Sequence, residues 1–198
     1  SISADVPVWG VSAQGKALAT GIAETVAAEN VRHGASGLAF TVVWGGRSAD
    51  IQTQLFGDFN TVNLLCVLAV ALASGMTLDK AADRLRSIKP VAGRMESCAQ
   101  GGLASPLVFI DYAHTPDALE RVLASVRQHC KGLLWVVFGC GGNRDVGKRP
   151  LMGEVACRLA DRIIITDDNP RNEDNKVIAE AVMAGCKGGN AVLIQDRH

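Results

Sequence analysis

One stretch limits the folds open to this chain: Phe138-Gly-Cys-Gly-Gly-Asn-Arg-Asp-Val-Gly-Lys-Arg-Pro150. It follows the apolar run Leu133 to Phe138, which predicts a buried parallel strand. It precedes Leu151 to Ala160, which predicts a helix with Pro150 near its first position. Gly139, Gly141 and Gly142 let the backbone turn sharply and bring N–H groups close to a ligand. Arg144, Lys148 and Arg149 add positive charge near a helix N-terminus, where anions are already favoured. Gly142-x4-Gly147-Lys148 fits most of a nucleotide phosphate-loop pattern. Arg149 stands where Ser or Thr would hold magnesium, so an ordinary phosphate loop is excluded here. A plain glycine turn with a solvated basic helix start is the competing reading.

The chain around this loop alternates strand and helix. Leu107 to Asp111 predicts a strand, and Thr115-Pro116-Asp117 starts a helix that runs to about Cys130. Arg162 to Thr166 predicts a strand, Lys176 to Ala184 a helix, and Ala191 to Ile194 a last strand. This alternation predicts an α/β fold, a Rossmann-like, mostly parallel sheet. Residues 1 to 36 alternate only weakly, and Gly21 to Val31 reads as a short helix. Gly37 to Trp44, the Gly45-Gly46 turn and Ser48 to Leu55 predict a hairpin. Helices are expected over Val62 to Ser74, ended by Gly75, and over Leu78 to Ile88, capped by Thr77 and broken before Pro90. Val91 to Glu96 reads as a connector, with a domain boundary between residues 92 and 93.

Composition removes several function classes. The 198 residues carry 48% hydrophobic and 20% charged side chains, enough for a packed core and too apolar for disorder. Net charge is zero, which argues against a nucleic-acid partner. The longest apolar run, Leu64 to Ala73, is too short to span a bilayer, so no membrane partner is expected. The six cysteines form no C-x-x-C pair, and with four scattered histidines they make no zinc pattern. Reduced thiols in the cytoplasm are the simplest reading, and Cys140 is expected to pack rather than react. Both ends of the chain look cut.

Three predicted strands, 107–111, 133–138 and 162–166, end in polar loops, and in one parallel sheet those ends share an edge. Asp111, His114, Arg144, Lys148, Asn169 and Arg171 are thus expected to converge. Several guanidinium and ammonium groups on one rim call for an anionic ligand, which Arg grips bidentately. Alternatives stand beside each of these. Asp168-Asn169-Pro170 is also ordinary turn chemistry, Asp111 a turn cap, and His114 a hydrogen-bonded structural histidine. Asn60 and Asn63, three apart at a helix start, share one face. Their amides suit the donor–acceptor edge of adenine, or simply cap the helix.

These motifs together resemble the Mur ligases, the ATP-dependent amide-forming enzymes of peptidoglycan synthesis. The carriers are Gly57-x-Phe59-Asn60-x-x-Asn63, Gly93-Arg94-Met95-Glu96, Asp111 to Asp117, Gly139 to Pro150 and Asp168-Asn169-Pro170-Arg171, a match from about Leu55 to Arg197. The resemblance implies that residues 1–92 are the latter part of a central ATPase domain and 93–198 most of a C-terminal domain. It implies that Asn60 and Asn63 meet adenine, and that Arg94 and Asp111 meet the ATP ribose and phosphates. His114 and Lys148 are implied near the transferring phosphoryl group. Asp-Asn-Pro-Arg points to the branch that adds meso-diaminopimelate to UDP-N-acetylmuramoyl-L-alanyl-D-glutamate, with Arg144, Asp168, Asn169 and Arg171 holding that amino acid. A lysine-adding or folyl-polyglutamate type, or a non-catalytic binding module, are the alternatives. The implied cofactors are ATP and Mg2+, the implied partners small-molecule substrates only, and the implied state a monomer. The family's Gly-Lys-Thr phosphate loop, its UDP-binding domain and its modified magnesium-binding lysine are not in this sequence. This stretch alone is therefore expected to be inactive.

Overall fold

The computed structural model describes residues 7–13, 21–98, 106–188 and 190–196. The rest of the weakly alternating stretch 1–36 and the end of the resemblance at Arg197 lie outside the described residues. The chain forms two compact units, Ser1–Asp111 and Tyr112–His198.

The first unit is a four-stranded sheet backed by two helices. The strands are β1 (Trp9–Ser12), β2 (Glu24–Gly34), β3 (Gly37–Trp44) and β4 (Arg47–Thr53), in that spatial order. β2 pairs parallel with β1 and antiparallel with β3, and β3 with β4 antiparallel through the Gly45-Gly46 turn. The short helix expected over Gly21 to Val31 is therefore strand β2. Pairing on both sides of the segment outweighs its weak local preference, and Val26 and Ala28 become fully buried on one face. A bulge between Glu29 and Arg32, with Asn30 at φ 53°, interrupts the ladder.

Helices α1 (Asp58–Ala73) and α2 (Leu78–Arg86) cover that sheet. α1 starts four residues before the expected Val62. Its Leu64, Leu65, Leu68 and Leu72 recur at helical spacing and meet Phe40, Val42 and Ile51 of the sheet. α1 ends in a Schellman turn: Met76 N–H donates to Ala71 O at 3.0 Å and Gly75 N–H to Leu72 O at 2.9 Å. Gly75 takes φ 87° there, which needs glycine. Thr77 stands at the N-cap of α2, but its side chain makes no capping bond.

The connector contains a short strand, β5 (Glu96–Ser97), which pairs antiparallel with β6 (Phe109–Ile110). This corrects the expectation that Leu107–Asp111 joins the parallel sheet. The Phe109 ring packs edge-on against Phe56 at 4.7 Å, an anchor that periodicity alone does not reveal.

The second unit has a parallel sheet, β7 (Trp135–Phe138), β8 (Arg162–Ile165) and β9 (Ala191–Leu193), in sequence order. Helices α3 (Pro116–His129), α4 (Lys148–Leu159) and α5 (Asn175–Met183) accompany it. Thr115 caps α3 through Ala118 N–H at 3.3 Å, with Pro116 at the first position as the sequence predicts. Right-handed crossovers between strands added in one direction set α4 and α5 on one face. Ile163 and Ile165 pack there with Met152, Ala156, Ile178 and Val182. β7 is parallel as expected but not buried throughout, since Trp135 and Val137 are exposed. Pro150 is the third residue of α4, within its first turn. Among the described residues no helix is long and apolar enough to cross a membrane.

Asp161 fastens the start of this sheet. Its carboxylate accepts from Leu134 N–H at 2.7 Å and from Arg127 at 2.8 Å. Those two bonds, the backbone one first, hold the carboxyl below the ordinary aspartate value of 3.8. A lowered folded-state value means stability that is present above pH 3.8 and is lost as pH falls through the folded value. Asp161→Asn will therefore destabilise the chain at pH 6, and the gap to wild type will close as urea denaturation is repeated toward pH 2. A gap that does not change with pH contradicts this.

Candidate functional site

The loops after β7 and β8 are bonded to each other along their length. The ladder ends where Thr166 N–H donates to Phe138 O at 3.0 Å. Beyond it, Gly142 N–H donates to Asn169 O at 2.9 Å, and the Arg171 guanidinium donates to Gly142 O at 2.6 Å. Asn172 N–H donates to the Asn143 side-chain oxygen at 3.2 Å, and Arg171 N–H to the Asn169 side-chain oxygen at 3.2 Å. A Cβ on Gly142 would sit 1.8 Å from Pro170 O, so only glycine allows this approach. Asn143 at φ 52° and Arg171 at φ 53° hold left-handed conformations on either side of the junction.

The glycine loop is thus occupied differently from the sequence-based expectation. The N–H groups of Gly142 and Asn143 meet Asn169 O and the Glu173 carboxylate rather than facing outward as an anion cradle. Arg149, expected among the anion-attracting charges, is 1% exposed. Its guanidinium pairs with both Glu173 oxygens at 2.9 and 2.8 Å. The first bond that holds the Glu173 carboxyl below the ordinary glutamate range comes from Asn143 N–H, and Arg149 adds to it. Neither Glu173 nor the burial of Arg149 is expected from the motifs. The signal lies in the spacing: Arg149 precedes Met152, Gly153 and Ala156 at i+3, i+4 and i+7, the buried face of α4.

Arg144, Asp168, Asn169 and Arg171 all lie on these two loops and are exposed, so the structure does bring their segments together. Arg171 keeps four of its five N–H donors after its bond to Gly142. His114 and Lys148 are also joined: Lys148 Nζ donates to His114 O at 2.7 Å. His114 Nδ1 lies 3.1 Å from Tyr112 O. A carbonyl only accepts, so Nδ1 carries the hydrogen, and in the neutral ring Nε2 is the acceptor. Cys140 is buried beside Met152, at 3.6 Å between sulfurs, and burial pushes its thiol up. It packs, as expected.

In the first unit, Asn60 donates to Phe56 O at 2.7 Å and accepts from Asn63 at 3.1 Å. The two asparagines share a face, and Asn60 retains one amide hydrogen and one lone pair. Arg94 is exposed in a turn closed by its own N–H on Val91 O at 3.0 Å. The Asp111 carboxylate accepts from Met95 N–H at 2.9 Å and fixes that turn. Among the described residues no three His, Cys, Asp or Glu side chains are grouped to hold a metal ion.

A glycine loop and an Asp-Asn-Pro-Arg loop docked at the carboxyl ends of parallel strands define an α/β domain whose loops lie where open parallel sheets bind ligands. Residues 93–198 match the family model for the Mur ligase, glutamate ligase domain, and the chain belongs to the Mur ligase family. It is 48% identical over 160 residues to UDP-N-acetylmuramoyl-L-alanyl-D-glutamate–2,6-diaminopimelate ligase of Alkalilimnicola ehrlichii, covering 81% of this chain and 31% of the relative. It is 44% identical over 191 residues to the ligase of the same name from an Acidovorax species, covering 95% of this chain and 36% of the relative. A solved structure of a ligase with that name superposes with TM-score 0.64 at 35% identity, over 90% of this chain and 36% of that one. The chain thus spans about a third of the length of the curated relatives it matches.

Proposed function

We propose that the chain is part of an ATP-dependent ligase that joins meso-diaminopimelate to the D-glutamate of UDP-N-acetylmuramoyl-L-alanyl-D-glutamate, in peptidoglycan synthesis. The observation that supports this is the docked pair of loops, on which Arg144, Asp168, Asn169 and Arg171 are exposed. The two relatives named for that reaction support it.

Diaminopimelate carries an ammonium and a carboxylate at its distal end, and lysine lacks that carboxylate. Arg171 and Arg144 suit the carboxylate; Asp168 and the Asn169 side chain suit the ammonium. An Arg left unpaired when lysine binds disfavours lysine by about 1–3 kcal/mol. The reaction we infer proceeds through an acyl phosphate. The γ-phosphoryl group of ATP passes to the glutamate γ-carboxylate, releasing ADP, because a bare carboxylate is a poor electrophile. The amine then attacks the acyl carbon, phosphate leaves, and the amide forms. Lys148 supplies positive charge toward the phosphoryl oxygens, and His114 offers Nε2 as an acceptor. Asn60 and Asn63 are proposed for the adenine edge, and Arg94 and Asp111 for the ribose and phosphates. Magnesium, when bound, would offset phosphate charge.

The family match beginning at residue 93 supports our assignment of 93–198 as the C-terminal domain and 1–92 as part of the ATP-binding domain. We take the enzyme to act as a monomer in the cytoplasm, where ATP and reduced thiols coexist.

Arg171→Met tests the reading. In the full-length protein it will raise KM for meso-diaminopimelate by about 10–100-fold, the worth of a charge-assisted hydrogen bond or two. KM for ATP will stay within about twofold, since Arg171 is proposed to touch only the amino acid. An unchanged diaminopimelate KM, or a wild-type preference for lysine, sinks the assignment.

A further inference from the structure

We propose that Glu173 is a positioning residue for diaminopimelate, an inference that rests on the reading above. Through the buried Arg149 and the Asn143 N–H it sets the two loops in the arrangement that aims Arg171 and Asn169.

The need for such a residue follows from where the sheet stops. The β7–β8 ladder ends with Phe138, Ile165 and the Thr166 N–H bond, so nothing regular registers the loops beyond that point. Beside the Gly142–Asn169 and Arg171–Gly142 bonds, a set of bonds converging on Glu173 registers them. Arg149 is fixed in the core by α4, with its side chain 2% exposed, and is a rigid pier. Both its contacts to Glu173 come from one guanidinium nitrogen, at 2.9 and 2.8 Å. One oxygen of that carboxylate also accepts Asn143 N–H, the first residue past Gly142. The backbone of Glu173 closes the loop from the other side, since its N–H donates to Pro170 O at 3.0 Å. Its neighbour Asn172 donates to the Asn143 side chain at 3.2 Å. Glu173 thus ties helix α4, the glycine loop and the Asp-Asn-Pro-Arg loop to one another, two residues from Arg171.

A carboxylate partner is required at this point for electrostatic reasons. The Arg149 guanidinium carries its charge out of water, where it needs an opposite one. Gln in place of Glu173 keeps an acceptor for Asn143 and nearly the same shape, but removes the charge that holds Arg149. The geometry of Arg171 and Asn169 should loosen while the rest of the protein keeps its structure.

The test is steady-state kinetics on the full-length protein carrying Glu173→Gln, with all three substrates varied. The expected result is a rise of about tenfold or more in KM for meso-diaminopimelate, the loss of one charge-assisted contact. KM for ATP and for the muramoyl dipeptide should remain within about twofold, and Glu173→Asp should recover part of the loss. An unchanged diaminopimelate KM in folded Glu173→Gln overturns the proposal. So does a parallel rise in all three KM values with a lowered melting temperature, which marks a structural role alone. Should Glu173→Gln not fold, Glu173→Asp takes its place, keeping a charge beside Arg149 while shortening the reach to Asn143 N–H. It should raise diaminopimelate KM about threefold, and no rise overturns the proposal. If Arg171→Met raises diaminopimelate KM and Glu173→Gln does not, only the positioning role fails. If Arg171→Met also has no effect, the substrate reading fails with it.

Discussion

Gly142→Ala will force the two loops of the second unit apart and destabilise that unit. The added Cβ would lie 1.8 Å from Pro170 O and 2.6 Å from Pro170 C, both backbone atoms that cannot rotate away. Relief requires moving one loop, which breaks the Gly142–Asn169 bond and the Arg171–Gly142 bond together. Forced overpacking of this kind costs about 3 kcal/mol. Gly147→Ala is the control. Its Cβ would meet only the Asp145 side chain at 3.3 Å, and the position has an ordinary helical conformation. That change should stay within about 0.5 kcal/mol. Urea denaturation followed at Trp135, the one tryptophan of the second unit, compares the two variants. Equal midpoints would refute the account of the loop junction.

The second large effect lies in the first unit. Leu65→Ala will destabilise it by about 2–5 kcal/mol, the transfer cost of the lost side chain plus the cavity left behind. Leu65 is 0% exposed and belongs to the cluster that α1 and α2 form with the sheet residues Phe40, Val42 and Ile51. Trp9 and Trp44, stacked at 6.0 Å, report on the unfolding of this unit. In a Trp135→Phe background their fluorescence isolates it. Val67→Ala, on the exposed side of the same helix, should change stability by no more than about 0.5 kcal/mol. Similar losses for both variants would mean that α1 does not bury the face described.

Most local elements are legible in the amino-acid sequence. Thr115-Pro116 begins α3, Gly75 ends α1, and Gly45-Gly46 turns β3 into β4, because each depends on backbone geometry within a few residues. The parallel order of β7, β8 and β9 follows from strand–helix alternation and crossover handedness. The adjacency of the Arg144 and Arg171 loops follows from that order. Local preference misleads where distant partners outvote it. Glu24–Gly34 is a strand because strands lie on both sides of it, and Phe109–Ile110 pairs with Glu96–Ser97 instead of joining the parallel sheet.

By itself, then, the sequence determined the α/β class, the family and the identity of the polar groups on the two loops. These depend on periodicity, turn chemistry and motif order, all of which are written along the chain. Only the tertiary structure decided which charges remain exposed. Arg149 and Arg144 look alike in sequence, five residues apart in one basic loop. One is buried against a glutamate 24 positions away and the other is exposed. That partition is a property of packing, since burying a guanidinium requires a carboxylate at contact distance, and only the fold brings one there.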